Sequence, residues 1–177
     1  MYDIISSEML YSGRVIGLCI DTVNHRSGKL KLEVVKHSGG VAVVALNDKL
    51  EVALVRQYRH PIGQYLLELP AGRLEAGDTP LEGARRELQQ ETGLIAADWK
   101  LLAKTYPAPG YCQELLHIFL ARQLTSHTAT PDEDEEIEVV YLPLQVATKM
   151  CYSGELVDAK TIIGLLTAEN FLKDKHE

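Results

Sequence analysis

The segment from residue 72 to residue 94 constrains the fold most, because it holds the start and stop signals of one helix. Asp78 or Thr79 can serve as the N-cap, and Pro80 suits the first turn. Gly93 supplies the stop signal at the other end. The apolar positions between these signals share one helical face: Leu81, Ala84 and Leu88. The sequence therefore predicts a helix that packs one face against a sheet.

Strand-like segments lie on both sides of this helix. The run VAVVAL, residues 41 to 46, is continuously apolar, as a buried strand would be. Asn47 and Asp48 then turn the chain into EVALVRQYR, residues 51 to 59, which predicts a hairpin. Further strands are expected at residues 9 to 23, 29 to 37, 65 to 69, 101 to 106, 114 to 122 and 137 to 142. Two closing helices are expected at residues 143 to 152 and 158 to 172, the second capped by Asp158.

Mixed strands around one central helix, with two helices at the C-terminal end, indicate an α/β or α+β sandwich. The length of 177 residues fits one domain with a small appended segment. We expect residues 1 to 38 to form an N-terminal segment of antiparallel strands with a turn at Gly28. Residues 39 to 177 are then the main domain.

The composition argues against several classes of protein. The net charge is −7, so nucleic acid, which needs a basic surface, is not an expected partner. Three cysteines without a CxxC pair argue against a disulfide framework or a zinc site and fit reduced thiols. The N-terminus has no signal-peptide pattern, and no apolar run approaches the ~20 residues of a membrane span. We therefore predict a soluble cytoplasmic protein that does not bind membranes.

Two glutamates of the central helix form a candidate metal site. Glu87 and Glu91 lie about one turn apart and would project from the same side of the helix. Both lie beside Ala84, at the edge of the buried face, so their charges would be partly desolvated. Such carboxylates repel each other unless a cation or an Arg lies between them, and Mg²⁺ prefers oxygen ligands of this kind. The alternative is an exposed helix whose charges form i,i+4 pairs.

The spacing within the whole segment decides between these interpretations. Gly72, Asp78, the run Arg86-Glu87-Leu88, the pair Gln90-Glu91 and the pair Gly93-Leu94 stand at the defined positions of the Nudix box. The segment resembles this motif and matches seven of its nine defined positions. Asp78 replaces the first Glu of the motif, and Gln90 replaces the first Glu of its final pair. The resemblance favours metal-binding glutamates over exposed charges.

The resemblance covers most of the chain after residue 40 and points to the ADP-ribose pyrophosphatase branch of the Nudix hydrolases. It is carried by VRQYRHP (55 to 61), LLELPAG (66 to 72), YPAPGYCQELLHIFLA (106 to 121), DEDEEIEVVYLPL (132 to 144), SGELVDAKTIIGLL (153 to 166) and YSGRV (11 to 15). The LPAG and YPAPG blocks separate this branch from the groups that act on nucleoside triphosphates or dinucleoside polyphosphates. The implied fold is an α/β/α sandwich with a mixed sheet, preceded by N-terminal antiparallel strands.

The resemblance also implies a reaction and its metal. Members of this branch cut the diphosphate of a nucleoside diphosphate sugar with Mg²⁺, for which Mn²⁺ can substitute. The implied metal ligands are Glu87, Glu91, the backbone carbonyl of Ala71 and, as an additional ligand, Glu135. Gln90 can coordinate through its amide oxygen but removes one charge, so we expect one metal position to be weakened.

The general base is implied to come from the acidic run that precedes IEVVYL. Alignment on that strand selects Glu133, and the alternative is that the run is only a solvated acidic loop. Arg86 is expected to orient the glutamates of the box.

A third group of residues is implied to contact the substrate. Arg59 matches a position that binds the diphosphate, and a guanidinium suits this because it pairs with two oxygens at once. Arg56 and Gln57 lie nearby in the sequence, and Glu114 could face the site. The alternative for Arg59 is a structural pair with Glu68.

The N-terminal strands carry a separate hypothesis. In this branch the N-terminal segments exchange between two subunits, so a homodimer is expected, and the partner contributes to the pocket for the adenine. Tyr11 and Arg14 could stack on the base. The alternative is an ordinary edge hairpin.

Three functions remain open at this level. The leading one is Mg²⁺-dependent hydrolysis of ADP-ribose to AMP and ribose 5-phosphate. The second is hydrolysis of another nucleoside diphosphate sugar, such as ADP-glucose or GDP-mannose, because the motif does not define the base and sugar pockets. The third is a ligand-sensing module with reduced catalysis, an idea that rests on Gln90.

Overall fold

The structure is a computed structural model, and it describes residues 2 to 129 and 136 to 174. The chain forms two compact units. The first consists of Met1–Gly39 and Tyr106–Leu115, and the second consists of Gly40–Thr105 and Leu116–Glu177. Each unit contains its own sheet.

The first unit is built on a three-stranded antiparallel sheet. Its strands are β1 (Asp3–Ser12), β2 (Gly17–His25) and β3 (Gly28–Lys36), in that order across the sheet. All ten residues of β1 are exposed, whereas β2 buries Cys19 and Val23. The segment 106 to 115 extends this sheet beside β3, where the Val35 N–H donates to the Tyr111 carbonyl at 2.7 Å.

The prediction of one strand over residues 9 to 23 is wrong. The chain turns between β1 and β2, where the Gly13 N–H donates to the Ile16 carbonyl at 2.9 Å. The apolar residues Val15 and Ile16 stand in this turn, so the apolar pattern continues through it although the strand does not. The sheet also begins earlier than predicted, at Asp3.

The second unit is built on a seven-stranded mixed sheet. Its strands are β4 (Gly40–Leu46), β5 (Glu51–Arg59), β6 (Gln64–Glu68), β7 (Ala71–Arg73), β8 (Leu94–Thr105), β9 (Leu116–Ser126) and β10 (Ile137–Pro143), with a 3₁₀ turn at His60–Ile62. The order is β10-β5-β4-β9-β8, with β6 paired to β5 and β7 paired to β4. The β4–β9 pair is parallel, and the other pairs are antiparallel.

In the described part of the chain, three helices cover the two faces of this sheet: α1 (Pro80–Thr92), α2 (Leu144–Ser153) and α3 (Ala159–Lys173). Alternate residues of β4 pack in two separate hydrophobic cores, because successive side chains of a strand point to opposite faces. Val41 and Val43 pack with Ala84 and Leu88 of α1, whereas Val44 packs on the side of α2 and α3. The expected α/β/α sandwich with a mixed sheet is confirmed. The continuous apolar run in β4 is explained by its burial on both faces.

Local signals set the ends of α1. Thr79 is the N-cap and forms a capping box with Glu82, and Gly93 ends the helix in the left-handed conformation with φ of 66°. Asp78, the alternative cap, instead accepts a hydrogen bond from Arg86. Asp158 caps α3 as predicted, since its carboxylate accepts from the Thr161 N–H at 3.0 Å.

Most predicted elements of the second unit are confirmed. The structure adds one strand, β7, and extends another, β8. Strand β7 was not predicted because it has only three residues and includes Gly72. Strand β8 begins at Leu94, earlier than expected, and its register against β9 shifts between Leu101 and Ala103, which interrupts the alternating pattern. Among the described residues, the structure contains no helix with the length and apolar character needed to cross a membrane.

Candidate active site

The site begins where β7 lies against α1. A Cβ atom added at Gly72 would overlap the carboxyl group of Glu87, so the Glu87 side chain folds directly over the backbone of β7. Glycine at position 72 therefore leaves the space that this carboxylate occupies. This close approach links the first glycine of the motif to its first helical glutamate.

Glu91 is held against the same backbone one turn further along α1. Its side chain is buried, with 4% of the residue exposed, and its Oε2 accepts a hydrogen bond from the Ala71 N–H at 2.9 Å. Glu87 and Glu91 thus both lie beside Ala71 and Gly72, on the side of the helix that faces the sheet. The predicted partial burial of these two carboxylates is what the structure shows.

Arg86 forms hydrogen bonds both to residues that precede α1 and to side chains of α1 itself. Its Nη1 donates to Glu87 Oε1 at 2.6 Å and to Gln90 Oε1 at 3.2 Å. Its Nη2 donates to Asp78 Oδ2 and to the Arg73 carbonyl, both at 3.0 Å. This geometry fits an orienting role for Arg86, because the guanidinium fixes the side chains of Glu87 and Gln90 at once.

The charges around Arg86 shift two pKa values. Burial lowers the pKa of Arg86, but the hydrogen bond to Asp78 and the charge of Glu87 outweigh burial and raise it. The hydrogen bond from Arg86 lowers the pKa of the Asp78 carboxyl. Both groups are therefore charged at neutral pH.

The oxygen atoms of this cluster fit a hard divalent cation. Glu87 and Glu91 offer carboxylate oxygens, Gln90 offers an amide oxygen, and the backbone of Ala71 lies beside them. Within residues 2 to 129 and 136 to 174, no group of three His, Cys, Asp or Glu side chains is arranged to hold a metal. The cluster therefore contributes two carboxylates, and Glu135, the additional ligand implied by the resemblance, lies outside the described residues.

Arg59 is paired with Glu68 in a bidentate arrangement. Nε donates to Oε1 at 2.7 Å and Nη2 donates to Oε2 at 2.8 Å. The hydrogen bond to Glu68 raises the pKa of Arg59, and the charge of Glu91 acts in the same direction. The structural pair considered as the alternative for Arg59 is thus present, and it places the guanidinium within electrostatic range of Glu91.

Two further predicted substrate contacts, Arg56 and Gln57, also lie on strand β5. Gln57 and Arg59 lie on one face of the strand, and Arg56 lies on the other, because alternate residues share a face. Arg56 stacks over the Tyr65 ring at 4.3 Å and lies 3.5 Å from Glu138. Gln57 is buried, and its Oε1 has no hydrogen-bond partner in the described part of the chain. The strand therefore groups Gln57, and not Arg56, with Arg59.

Three predicted substrate contacts belong to the first unit. Tyr11 is exposed on β1, with its ring over Gly13. Arg14 stands in the turn that follows, and the Glu114 carboxylate lies 3.6 Å from His37 Nδ1. Glu133, the predicted base, lies outside the described residues.

Sequence reasoning missed Lys160. Its Nζ contacts Glu68 Oε2 and lies 3.0 Å from Asp158 Oδ1. A signal existed, because a lysine in the first turn of a helix opposes the helix dipole and implies a specific anionic partner.

Comparison with known proteins identifies the family. The family model described as NUDIX domain matches residues 36–162, more than half of the chain. This protein therefore belongs to the Nudix family.

Three relatives are similar over most of their length. The "ADP-ribose pyrophosphatase" of Bacillus subtilis (strain 168) is 41% identical over 89% of this chain and 86% of its own. The "Methanol dehydrogenase activator" of Bacillus methanolicus is 35% identical over 97% of this chain and 95% of its own. A "GDP-mannose pyrophosphatase" of Escherichia coli (strain SMS-3-5 / SECEC) is 35% identical over 82% of this chain and 79% of its own.

A solved structure supports the fold. The chain titled "Crystal structure of ADP compounds hydrolase" superposes with a TM-score of 0.86, covering 98% of this chain and 95% of that one. The two sequences are 23% identical, so this likeness concerns the fold alone.

Proposed function

We propose that this protein hydrolyses the diphosphate of ADP-ribose to AMP and ribose 5-phosphate, with Mg²⁺ bound by the glutamates of α1. The observation that carries the proposal is the position of Glu87 and Glu91 against the backbone of Ala71 and Gly72, in a chain of the Nudix family. The relative from Bacillus subtilis named ADP-ribose pyrophosphatase supports this choice of substrate.

In this mechanism each residue near the site has a separate task. Glu87, Glu91, the Ala71 carbonyl, Gln90 and Glu135 would hold the metal. A divalent cation held there would supply positive charge to the diphosphate oxygens and would lower the pKa of a bound water. Arg86 keeps Glu87 and Gln90 in place through the hydrogen bonds described above.

The bond changes involve one water molecule and one bridging oxygen. Glu133 accepts a proton from the water as the water oxygen bonds to one phosphorus. The bond from that phosphorus to the bridging oxygen breaks, and the other monophosphate leaves with the bridging oxygen. Arg59 pairs with the diphosphate oxygens during this step, because Glu68 holds its guanidinium within electrostatic range of Glu91.

A Gln90→Glu variant is expected to reach its half-maximal rate at a lower Mg²⁺ concentration than the natural protein. The variant adds a negative charge at an oxygen that already lies 3.2 Å from Arg86 Nη1, so the local arrangement should persist. A titration of the rate against Mg²⁺ measures the effect. An unchanged Mg²⁺ dependence would show that position 90 does not limit metal binding.

A second candidate is another nucleoside diphosphate sugar, and relatives named GDP-mannose pyrophosphatase favour it. The two candidates share the glutamate cluster and differ only in the base and sugar pockets. A third candidate, a ligand sensor with reduced catalysis, rests on the neutral side chain of Gln90.

A substrate panel separates these candidates. The panel contains ADP-ribose, ADP-glucose and GDP-mannose, each with Mg²⁺ or Mn²⁺, and alkaline phosphatase releases phosphate from the monophosphate products. The highest kcat/KM is expected for ADP-ribose. A higher value for GDP-mannose would select the second candidate, and binding of ADP-ribose without turnover of any compound would select the sensor.

A homodimer that exchanges its N-terminal strands is part of the proposal. Strand β1 is exposed along its whole length, and one of its edges has no partner strand among the described residues. Its exposed apolar residues include Ile4, Ile5, Met9, Leu10 and Tyr11. A long apolar edge strand of this kind favours pairing with another chain.

Mixed dimers test the exchange directly. If Tyr11 serves the site of the partner while Glu91 serves its own subunit, a dimer of one Tyr11→Ala subunit and one Glu91→Gln subunit contains one intact site. Co-expression with two affinity tags should then restore about half of the natural turnover per dimer. Light scattering that gives only the monomer mass of 19.7 kDa, or no restoration in the mixed dimer, would contradict the exchange.

A further inference from the structure

Glu68 is a buried carboxylate held by two cations. Only 1% of the residue is exposed, and it accepts hydrogen bonds from Arg59 and from Lys160. Both carboxylate oxygens are engaged, since Oε1 takes Arg59 Nε and Oε2 takes Arg59 Nη2 and Lys160 Nζ. A carboxylate buried this deeply needs such partners to remain ionised.

The first turn of α3 fixes this arrangement from the other side. The Asp158 carboxylate caps the helix and lies 3.0 Å from Lys160 Nζ. Thr161 Oγ1 accepts a hydrogen bond from the Leu69 N–H at 2.9 Å, next to Glu68 in the chain. One helical turn therefore holds the end of β6 through its backbone and through the Glu68 side chain.

The charges in this chain of contacts alternate in sign from Asp158 to Lys160, Glu68 and Arg59. Burial raises the pKa of Glu68, but the hydrogen bond from Arg59 and the charge of Lys160 outweigh burial and lower it. Glu68 therefore stays anionic and fixes two of the three nitrogens of Arg59. The third nitrogen, Nη1, makes no hydrogen bond to a described residue, and the Arg59 side chain is 36% exposed.

We propose that Lys160 is a positioning residue for substrate binding, which acts through Glu68 to hold Arg59 in the orientation that receives a diphosphate. The inference rests on the proposed function, because it takes Arg59 as the diphosphate contact. Lys160 itself does not touch the substrate in this account. Its contact with Oε2 holds the Glu68 carboxylate in one place, and the bidentate pair transmits that placement to the guanidinium.

The competing explanation is that Lys160 only stabilises the first turn of α3. Its contact with Asp158, at the helix cap, would be sufficient for that role. The two explanations differ in what the removal of Glu68 should do. If Lys160 acts through Glu68, its effect on substrate affinity should vanish when the Glu68 charge is absent, whereas an effect through Asp158 at the helix cap should persist.

The test uses Lys160→Met, which removes the charge, and Lys160→Arg, which keeps it. Lys173→Met is the matched control, because Lys173 lies on the same helix, has a side chain that is 69% exposed and pairs with Glu169 within that helix. The measurements are kcat and KM for ADP-ribose, the Kd of ADP-ribose by calorimetry and the melting temperature. Lys160→Met is expected to raise KM and Kd about tenfold with a much smaller change in kcat. Lys160→Arg should stay closer to the natural protein, and Lys173→Met should match it.

The deciding comparison is between Glu68→Gln and the double variant Glu68→Gln/Lys160→Met. The double variant removes both buried charges together, so it leaves no unpaired carboxylate. Its Kd is expected to equal that of Glu68→Gln. The inference would be overturned if Lys160→Met raised the Kd by the same factor in the natural protein and in the Glu68→Gln variant. It would also be overturned if Lys160→Met did not raise the Kd of the natural protein. If the natural protein neither binds nor cleaves ADP-ribose, the proposed function fails instead.

Discussion

A Glu91→Gln variant is expected to lose most of its turnover of ADP-ribose while keeping its fold. The amide can still accept the hydrogen bond from the Ala71 N–H, so the contact between α1 and β7 should survive. The variant lacks one of the proposed anionic metal ligands, and charge stabilisation by a bound metal contributes several kcal/mol to catalysis. At about 1.4 kcal/mol for each factor of ten, we expect kcat to fall roughly 10²- to 10³-fold.

The control for this variant lies on the same helix. Glu82 is exposed, and its carboxylate completes the capping box with Thr79, a role that glutamine also fills. Glu82→Gln should therefore keep its turnover. If Glu91→Gln retains full turnover while its melting temperature matches the natural protein, Glu91 is not a metal ligand.

A Glu133→Gln variant is expected to lose turnover for a different reason. A general base contributes roughly 10²- to 10⁴-fold to a reaction of this kind, and an amide cannot accept the proton from water. Glu133 lies outside the described residues, but the strand after the acidic run begins at Ile137, opposite Gln57 of β5 and two residues from Arg59. Ile137, the first residue of β10, therefore lies near the end of β5 that carries the proposed diphosphate contact.

A measurement of metal binding separates the two proposed glutamate roles. Glu133→Gln should leave the affinity for Mn²⁺, measured by electron paramagnetic resonance, nearly unchanged, whereas Glu91→Gln should weaken it. Glu136→Gln, in the same acidic run, provides the matched control with full turnover. If Glu133→Gln turns over at nearly the natural rate, another group is the base.

The parts of the structure that follow from short-range signals could be predicted from the sequence. Thr79, Glu82 and Gly93 determine the ends of α1 through contacts within the helix itself. The same helical period places Glu87 and Glu91 on one side of α1, so their shared helical face follows from their spacing. The continuous run of β4 likewise predicts a strand covered on both faces.

The contacts that depend on distant parts of the chain could not be predicted. Lys160 meets Glu68 across 92 positions of sequence, and no periodic pattern encodes such a pair. Strand β7 is too short for an alternating pattern, and it is defined by its pairing with β4. The sequence pattern does not reveal the turn at Gly13, because Val15 and Ile16 continue the apolar character of the neighbouring strands.

The most direct test of the central claim is the hydrolysis of ADP-ribose in water enriched in ¹⁸O, with Mg²⁺ present and the products identified by mass spectrometry. The account predicts equal amounts of AMP and ribose 5-phosphate, with one ¹⁸O atom in only one of the two products, and almost none of either from the Glu91→Gln variant. Intact ADP-ribose after incubation with the folded natural protein, or equal product from Glu91→Gln, would contradict it.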